Sequence, residues 1–342
     1  MKIELDNKKI LVTFLMHLGD LVLATPFIHA LRKAAPHAKI AFLCDEKLKD
    51  VLQGNPYLDE VLTIDRYGKD NNIPALWRWA KGLSKKNYDV LINLHPNERC
   101  SFIAAFTKTK LRVGTSHFLF KCFWDYFTPL NRELHAAVMY LDVLKQLGVE
   151  KAEEEGLEIF PLQEHFEAVQ KFWDKVNVTE SDKLIGFNIG SAVLTKRWAP
   201  ERFAEVADTL AGKGYKIIFF GGSMDKDLVN EAVGKMKTKP IVATGEFSLG
   251  QLAAAMKRCC LIITNDSGPM HVAISQKVPI VALYGPSHVD LYGPYKANAV
   301  VVRAEPPCEG CKDGMKHKCS DMRCMNDLAV EQVLKAAFDK IL

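Results

Sequence analysis

Short runs of aliphatic and β-branched residues alternate with helix-patterned stretches along most of this chain, and the alternation occurs twice. Residues 9–14 (KILVTF) form an apolar run of buried-strand type, followed by a loop and an amphipathic stretch over 21–33. Strand-like runs recur at 39–44 (KIAFLC), 60–64 (EVLTI) and 89–94 (DVLINL), with helical patterns near 46–54, 74–86, 100–107 and 139–148. Strands separated by helices can pair only through right-handed crossovers, so the first half predicts a parallel, doubly wound sheet.

Residues 150–158 are acidic and poor in large apolar side chains, and Phe160-Pro161 interrupts the pattern. After a helix over 163–176 the alternation resumes. Strand-like runs stand at 183–188, 215–220, 241–243, 260–264 and 279–284, and helices at 200–212, 224–236, 248–258 and 269–275. The expected organisation is therefore an α/β chain with one Rossmann-like domain over 1–160 and a second over 161–327. An amphipathic helix over 328–342 could pack back on the first domain. Doubly wound domains bind ligands beyond the carboxyl ends of their strands, so two of them are expected to face a common cleft.

Composition narrows the function class. With 48% hydrophobic and 25% charged residues, the 342-residue chain is neither disordered, collagen-like nor a coiled coil. It lacks an apolar run of the ~18 residues that cross a bilayer. Its first residues lead into a strand without a signal-peptide pattern, so a cytoplasmic location is expected. Residues 1–150 hold 21 Lys and Arg against 16 Asp and Glu, and the remainder 24 against 25. A mildly basic first half suits an anionic partner but is too weak for a nucleic-acid domain. The fingerprints of nicotinamide enzymes, P-loop NTPases, α/β-hydrolases and zincins are missing.

Loops that follow strands carry the candidate chemistry. After the first strand comes Met16-His17-Leu18-Gly19-Asp20, where Asp20 can cap a helix or act as a general base on a hydroxyl within ~3 Å. In the second half Asn188-Ile189-Gly190-Ser191 precedes Thr195-Lys196-Arg197-Trp198, and backbone N–H groups with Lys196 could hold a diphosphate. A further strand ends at Asp266-Ser267-Gly268-Pro269, opening a helix that carries His271 and offers free N–H groups to an anion. Asp225-x-Asp227 follows another strand; first-turn acids, one reaching a ribose hydroxyl, are the favoured reading over a metal pair.

Four passages, HLGDLVLATPFIHALRKAAP, LHAAVMYLDVLKQLG, NIGSAVLTKRWAPERFAEVADTL and ITNDSGPMHVAISQKVPIVALYGPS, together resemble glycosyltransferase family 9, the ADP-heptose:lipopolysaccharide heptosyltransferases. The resemblance implies a GT-B fold and inverting, metal-independent transfer of heptose from an ADP-sugar donor to an acidic, lipid-linked core saccharide. It implies that Asp20 is the catalytic base and that Lys196 contacts the donor phosphates. Asp266, Ser267 and Gly268 match the family's diphosphate loop, His271 the histidine that closes it, and Asn188, Gly190 and Ser191 the small donor loop. Asp225 falls near the acid associated with the ribose. Another GT-B sugar-nucleotide enzyme and a non-catalytic nucleotide-binding protein are the alternatives.

The acceptor side is carried by weaker signals. His95, Asn97 and Arg99 follow the strand 89–94 and are candidate acceptor ligands. The segment 74–86, with Trp77, Trp79 and four cations, and the aromatic stretch 118–127 could rest on the inner membrane as a peripheral contact, although core packing accounts for most such aromatics. Cys308, Cys311, Cys319 and Cys324 crowd into one tail segment and could hold a structural zinc, form a disulfide or remain thiols.

Overall fold

A computed structural model describes residues 3–149, 155–305 and 319–341. The chain divides into two compact units, Met1–Phe160 and Pro161–Leu342.

In the first unit the strands are β1 (Lys9–Thr13), β2 (Lys39–Asp45), β3 (Glu60–Ile64), β4 (Val90–Asn93), β5 (Leu111–Gly114) and β6 (Tyr126–Phe127). They pair in parallel in the order β3-β2-β1-β4-β5-β6. Its helices are α1 (Leu18–Leu23), α2 (Thr25–Ala34), α3 (Ile73–Ser84), α4 (Glu98–Phe106) and α5 (Ala136–Gln146). The central strands are buried on both faces, which is why they read as unbroken apolar runs and not as alternating ones.

The second unit contains β7 (Leu184–Asn188), β8 (Lys216–Phe220), β9 (Ile241–Val242), β10 (Cys259–Asn265), β11 (Ile280–Leu283) and β12 (Ala299–Val302). These too are all parallel, in the order β12-β11-β10-β7-β8-β9. Around them lie α6 (Gln163–Lys175), α7 (Pro200–Ala211), α8 (Lys226–Lys235), α9 (Leu249–Met256), α10 (Gly268–Ser275), α11 (Val289–Tyr292), α12 (Arg323–Asn326) and α13 (Val330–Ile341). Counted by appearance within its own unit, each sheet has the order 3-2-1-4-5-6 of a Rossmann domain.

Two expectations change on contact with the structure. The stretch 21–33 is two helices: Pro26 sits in the first turn of α2, where its missing N–H costs nothing, and Thr25 Oγ1 donates to the Val22 carbonyl at 2.7 Å instead. The segment after β2 is a 3-10 turn, Glu46–Val51, started by Asp45 accepting from the Lys47 N–H. The terminal helix α13 packs on α7, β10, β11 and β12 of the second unit. Its Val330, Val333, Ala336 and Ala337 complete the second unit's core.

Trp198 ties that junction together. It is 1% exposed, packs edge-on against Phe203, and donates from Nε1 to the Leu328 carbonyl at 3.0 Å. Arg202 donates to the same carbonyl at 2.7 Å. Trp198→Ala is expected to lower unfolding stability by about 3–5 kcal/mol, because the cavity cannot close around so large a deletion. Trp198→Phe keeps most of the ring and should cost much less; urea unfolding followed by circular dichroism separates the two.

Candidate active site

In an open parallel sheet, the loops of the two strands flanking the reversal of strand order leave towards opposite faces, and a ligand crevice opens between them. That point lies between β1 and β4 in the first unit and between β7 and β10 in the second. Both are pinned by a Thr–Asn pair at equivalent register. Thr13 donates to Asn93 Oδ1 at 2.7 Å, and Asn188 Nδ2 donates to Thr264 Oγ1 at 3.2 Å.

In the second unit the donor-side candidates converge at this crevice. Asn188, 1% exposed, also donates to Ser267 Oγ at 2.9 Å, joining the loops after β7 and β10. Asn265 Nδ2 adds a bond to the Ile189 carbonyl at 2.7 Å. Gly190 lies so close to Asp225 that a β-carbon there would stand 2.3 Å from Asp225 Oδ1. Only glycine lets the two loops approach in this way. Asp225 Oδ2 accepts from the Gly222 N–H at 2.9 Å, so its carboxylate both closes its own turn and borders the loop after β7. Ser191 is buried; its hydroxyl accepts from the Val193 N–H at 3.3 Å, and its carbonyl accepts from Arg197 Nε at 2.8 Å.

Lys196 ends a 3-10 turn, Leu194–Lys196, and its ammonium lies 2.7 Å from Asp266 Oδ2. The sequence had suggested that both residues serve a diphosphate directly. The pairing gives Asp266 a different first duty: a buried carboxylate beside a phosphate site would repel it, but bound to Lys196 it neutralises and aims the cation. An ammonium has three donors, so the bond to Asp266 leaves two for phosphate oxygens.

Ser267 is the N-cap of α10, and its hydroxyl turns to Asn188 without capping the helix. Gly268 and Pro269 open that helix, so a bound anion can serve as its cap. His271 lies one turn in and is 4% exposed. Tyr284, on the strand-end side of Asp266, is pushed up by burial and by that carboxylate, and it stays a neutral phenol donating to the Tyr292 carbonyl at 2.9 Å.

In the first unit Asp20 stands in the first turn of α1, two residues beyond its first residue, with His17 at the N-cap position. It is not the N-cap residue, but its carboxylate accepts from the His17 backbone N–H and so helps to close the helix start. Burial raises its carboxyl above the usual aspartate value; His17 and Arg66 pull the other way and do not cancel the effect. His17 and Arg66 line a cavity of about 520 Å³ together with Met16, His95, Arg99 and His117.

Arg66 is buried, held by Asp45 at 2.5 Å and donating to the Leu15 carbonyl at 2.7 Å. His95 is pushed down to about 4 by burial, with Arg132 and His17 adding to the effect. It faces the cavity as a neutral imidazole whose Nδ1 accepts from the Asn97 N–H at 3.2 Å, which leaves the proton on Nε2. Asn97 lines the same cavity, but its amide is engaged in the fold: Oδ1 accepts from Cys100 N–H at 2.8 Å and Nδ2 donates to the Leu15 carbonyl at 2.9 Å. Arg99 bonds Asn71 Oδ1.

Arg66 and His117 were absent from the sequence candidates. Arg66 follows β3 in the manner of every other candidate loop, so the strand-end rule would have found it; His117 arrives from a turn that no motif marks. Of the cysteine cluster, Cys308 and Cys311 lie outside the described residues. Cys319 is half-buried, and Cys324 packs in the apolar core of the second unit. Among the described residues no helix is long and apolar enough to cross a membrane.

Comparison with known proteins agrees with this geometry. The profile of glycosyltransferase family 9 (heptosyltransferase) matches residues 76–320. The crystal structure of a glycosyl transferase family 9 protein from Veillonella parvula DSM 2008 is 50% identical and superposes with a TM-score of 0.95, covering 100% of this chain and 99% of that one. Lipopolysaccharide heptosyltransferase 2 of Salmonella typhimurium is 27% identical over 325 residues, 86% of this chain and 88% of the relative. The structure of E. coli ADP-heptose lps heptosyltransferase II is 22% identical and shares the fold, with a TM-score of 0.81 over 97% of this chain and 98% of its own. Two Rossmann-like units of GT-B type and a profile match over most of the length lead to one conclusion: the chain belongs to glycosyltransferase family 9 and is a glycosyltransferase.

Proposed function

We propose that this enzyme transfers heptose from ADP-heptose to the acidic inner core of lipopolysaccharide, with inversion at the anomeric carbon and without a metal. It would act on a lipid-linked acceptor at the cytoplasmic face of the inner membrane, as a peripheral protein. The observation that carries this reading is the Lys196–Asp266 pair beside the uncapped start of α10 at the strand-order reversal. There an ammonium aimed by its carboxylate and the positive start of a helix offer fixed donors to a diphosphate leaving group.

Asp20 takes the proton of the acceptor hydroxyl. As the new C–O bond forms on one face of the anomeric carbon, the bond to the diphosphate breaks on the other. ADP departs with the electron pair, and inversion results. Lys196 and the N–H groups of α10 stabilise the departing charge. Arg66, Arg99, His17 and His117 line the first unit's cavity with one acid, Glu98, and the two guanidinium groups suit a phosphorylated, acidic acceptor.

Thermal shift should show ADP raising Tm while UDP, GDP and NAD do not. Incubation with ADP-heptose and truncated core acceptors should add one heptose by mass, with an anomeric configuration opposite to the donor's by NMR. ADP binding with no mass gain on any acceptor would leave a nucleotide-binding protein and reject the reading; retention would reject the inverting mechanism.

A further inference from the structure

Five of the ten exposed large apolar side chains among the described residues lie close together in the first unit. They are Ile73 and Trp77 on α3, and Phe118, Leu119 and Phe123 on the 3-10 turn Phe118–Phe123. A continuous ring ladder joins the two elements across α4: Trp77 packs on Phe106 at 4.4 Å and on Phe102 at 5.5 Å, Phe106 meets Phe123 at 5.2 Å, and Phe102 meets Phe120 at 5.9 Å. Phe102, Phe106 and Phe120 are anchored on the core cluster beneath. Core packing explains those inner rings. It does not explain Phe118, 76% exposed, or Leu119, 60% exposed.

Charge identifies what such a ridge fits. The segments 73–86, 98–110 and 117–124 that build it contain eight Lys or Arg and one acid, Glu98, which lies 4.0 Å from His117. Three of those cations pair with acids from neighbouring segments, but Lys81, Lys85, Lys108 and Lys121 are exposed, Lys121 with its ammonium 4.3 Å from the Phe127 ring. Aromatic and aliphatic side chains rimmed by unopposed lysines match the interface of an anionic bilayer, where rings enter the headgroup layer and cations meet phosphates. The ridge is also continuous with the acceptor cavity: His117 lines the cavity, and its ring lies 4.5 Å from that of Phe118.

We propose that the Trp77–Phe123 aromatic ridge and its lysine rim seat the first unit on an anionic phospholipid surface, bringing the cavity to a lipid-anchored saccharide. The purpose given to it rests on the reading that the acceptor is lipid-linked. The surface itself is tested without any acceptor.

The probe is flotation with phosphatidylcholine vesicles, with and without phosphatidylglycerol. The parent should bind the anionic vesicles, lose binding as salt rises, and bind phosphatidylcholine alone weakly. Phe118→Ser with Leu119→Ser should weaken anionic-vesicle binding by about tenfold or more, and Lys81→Glu with Lys121→Glu by a comparable factor. Both pairs lie on the surface, and unchanged Tm would show them folded. Trp77 is the only exposed one of the five tryptophans, so brominated lipid should quench parent fluorescence and not that of Trp77→Phe.

Transfer to a delipidated, water-soluble core fragment should be the same in parent and Phe118→Ser/Leu119→Ser, while transfer to vesicle-embedded acceptor falls. Equal vesicle binding by parent and variants would overturn the proposal. So would failure of the parent to bind, or a dimer in sedimentation that the serine pair dissolves. A parent that binds vesicles through these residues but moves no heptose to either acceptor would sink the functional reading and leave the surface standing.

Discussion

Asp20→Asn is expected to lose about 10²–10⁴-fold in transfer, the usual worth of a general base, while folding at least as well as the parent. The amide keeps the volume and one acceptor of the carboxylate but cannot accept a proton from the sugar hydroxyl. The stability half of the prediction follows from burial. The folded-state carboxyl is raised above its ordinary value of 3.8, so the folded chain holds this proton more tightly than the unfolded chain does. The stability it contributes is therefore full below 3.8 and is lost as pH rises through the raised value, above which the ionised, partly desolvated carboxylate is a cost.

Asparagine removes that cost, so Tm of Asp20→Asn at pH 7 should equal or exceed the parent's, with the difference vanishing in acid. The parent's kcat/KM should fall on the acid side with a midpoint above 3.8, and the variant's residual rate should lack that limb. His95, pushed down to about 4, is neutral near neutrality and adds a step only towards the acid end of that limb, in parent and variant alike. Near-parental transfer by Asp20→Asn would remove Asp20 from the chemistry.

The strands that position these residues were legible because each central strand is buried on both faces and so announces itself as an apolar run. The edges were not. Leu111–Gly114 is short and interrupted by Arg112, Tyr126–Phe127 is two residues long, and Ala299–Val302 follows the last strand–helix alternation, outside the repeating pattern. α13 shows the limit of periodicity: its apolar stripe says that one face is covered, but not which unit covers it.

The same division runs through the site. Strand-end loops could be read one by one, and Asp20, Lys196, Asp266 and Ser267 all stand on such loops. What they do to one another depends on distances that no local pattern encodes. The bond between Lys196 and Asp266, the Gly190–Asp225 approach and the Thr–Asn pins at both reversals require strands brought together from 35 to 80 positions apart. Asn97 illustrates the converse, since an asparagine before a helix reads equally as a cap or a ligand until its two bonds are seen.

Lys196→Ala should separate the two things this lysine does. Catalytically it removes a preorganised positive charge from the leaving diphosphate, a loss of about 10²–10³-fold in kcat if the cation acts mainly in the transition state. Structurally it leaves Asp266, whose side chain is 6% exposed, as a buried carboxylate without its cation. Stripping one partner from a fully buried pair costs about 3–5 kcal/mol; Lys196 is 20% exposed, so the loss here should fall below that range. A fall in activity alone would not tell these effects apart, and a second substitution does. Lys196→Met with Asp266→Asn removes both charges, so unfolding stability should return towards the parent's while transfer stays low. Lys196→Arg keeps the charge but changes its reach, so it should retain stability and recover only part of the rate. If the double variant regains transfer along with stability, Lys196 is a structural partner of Asp266 and not the group that receives the diphosphate.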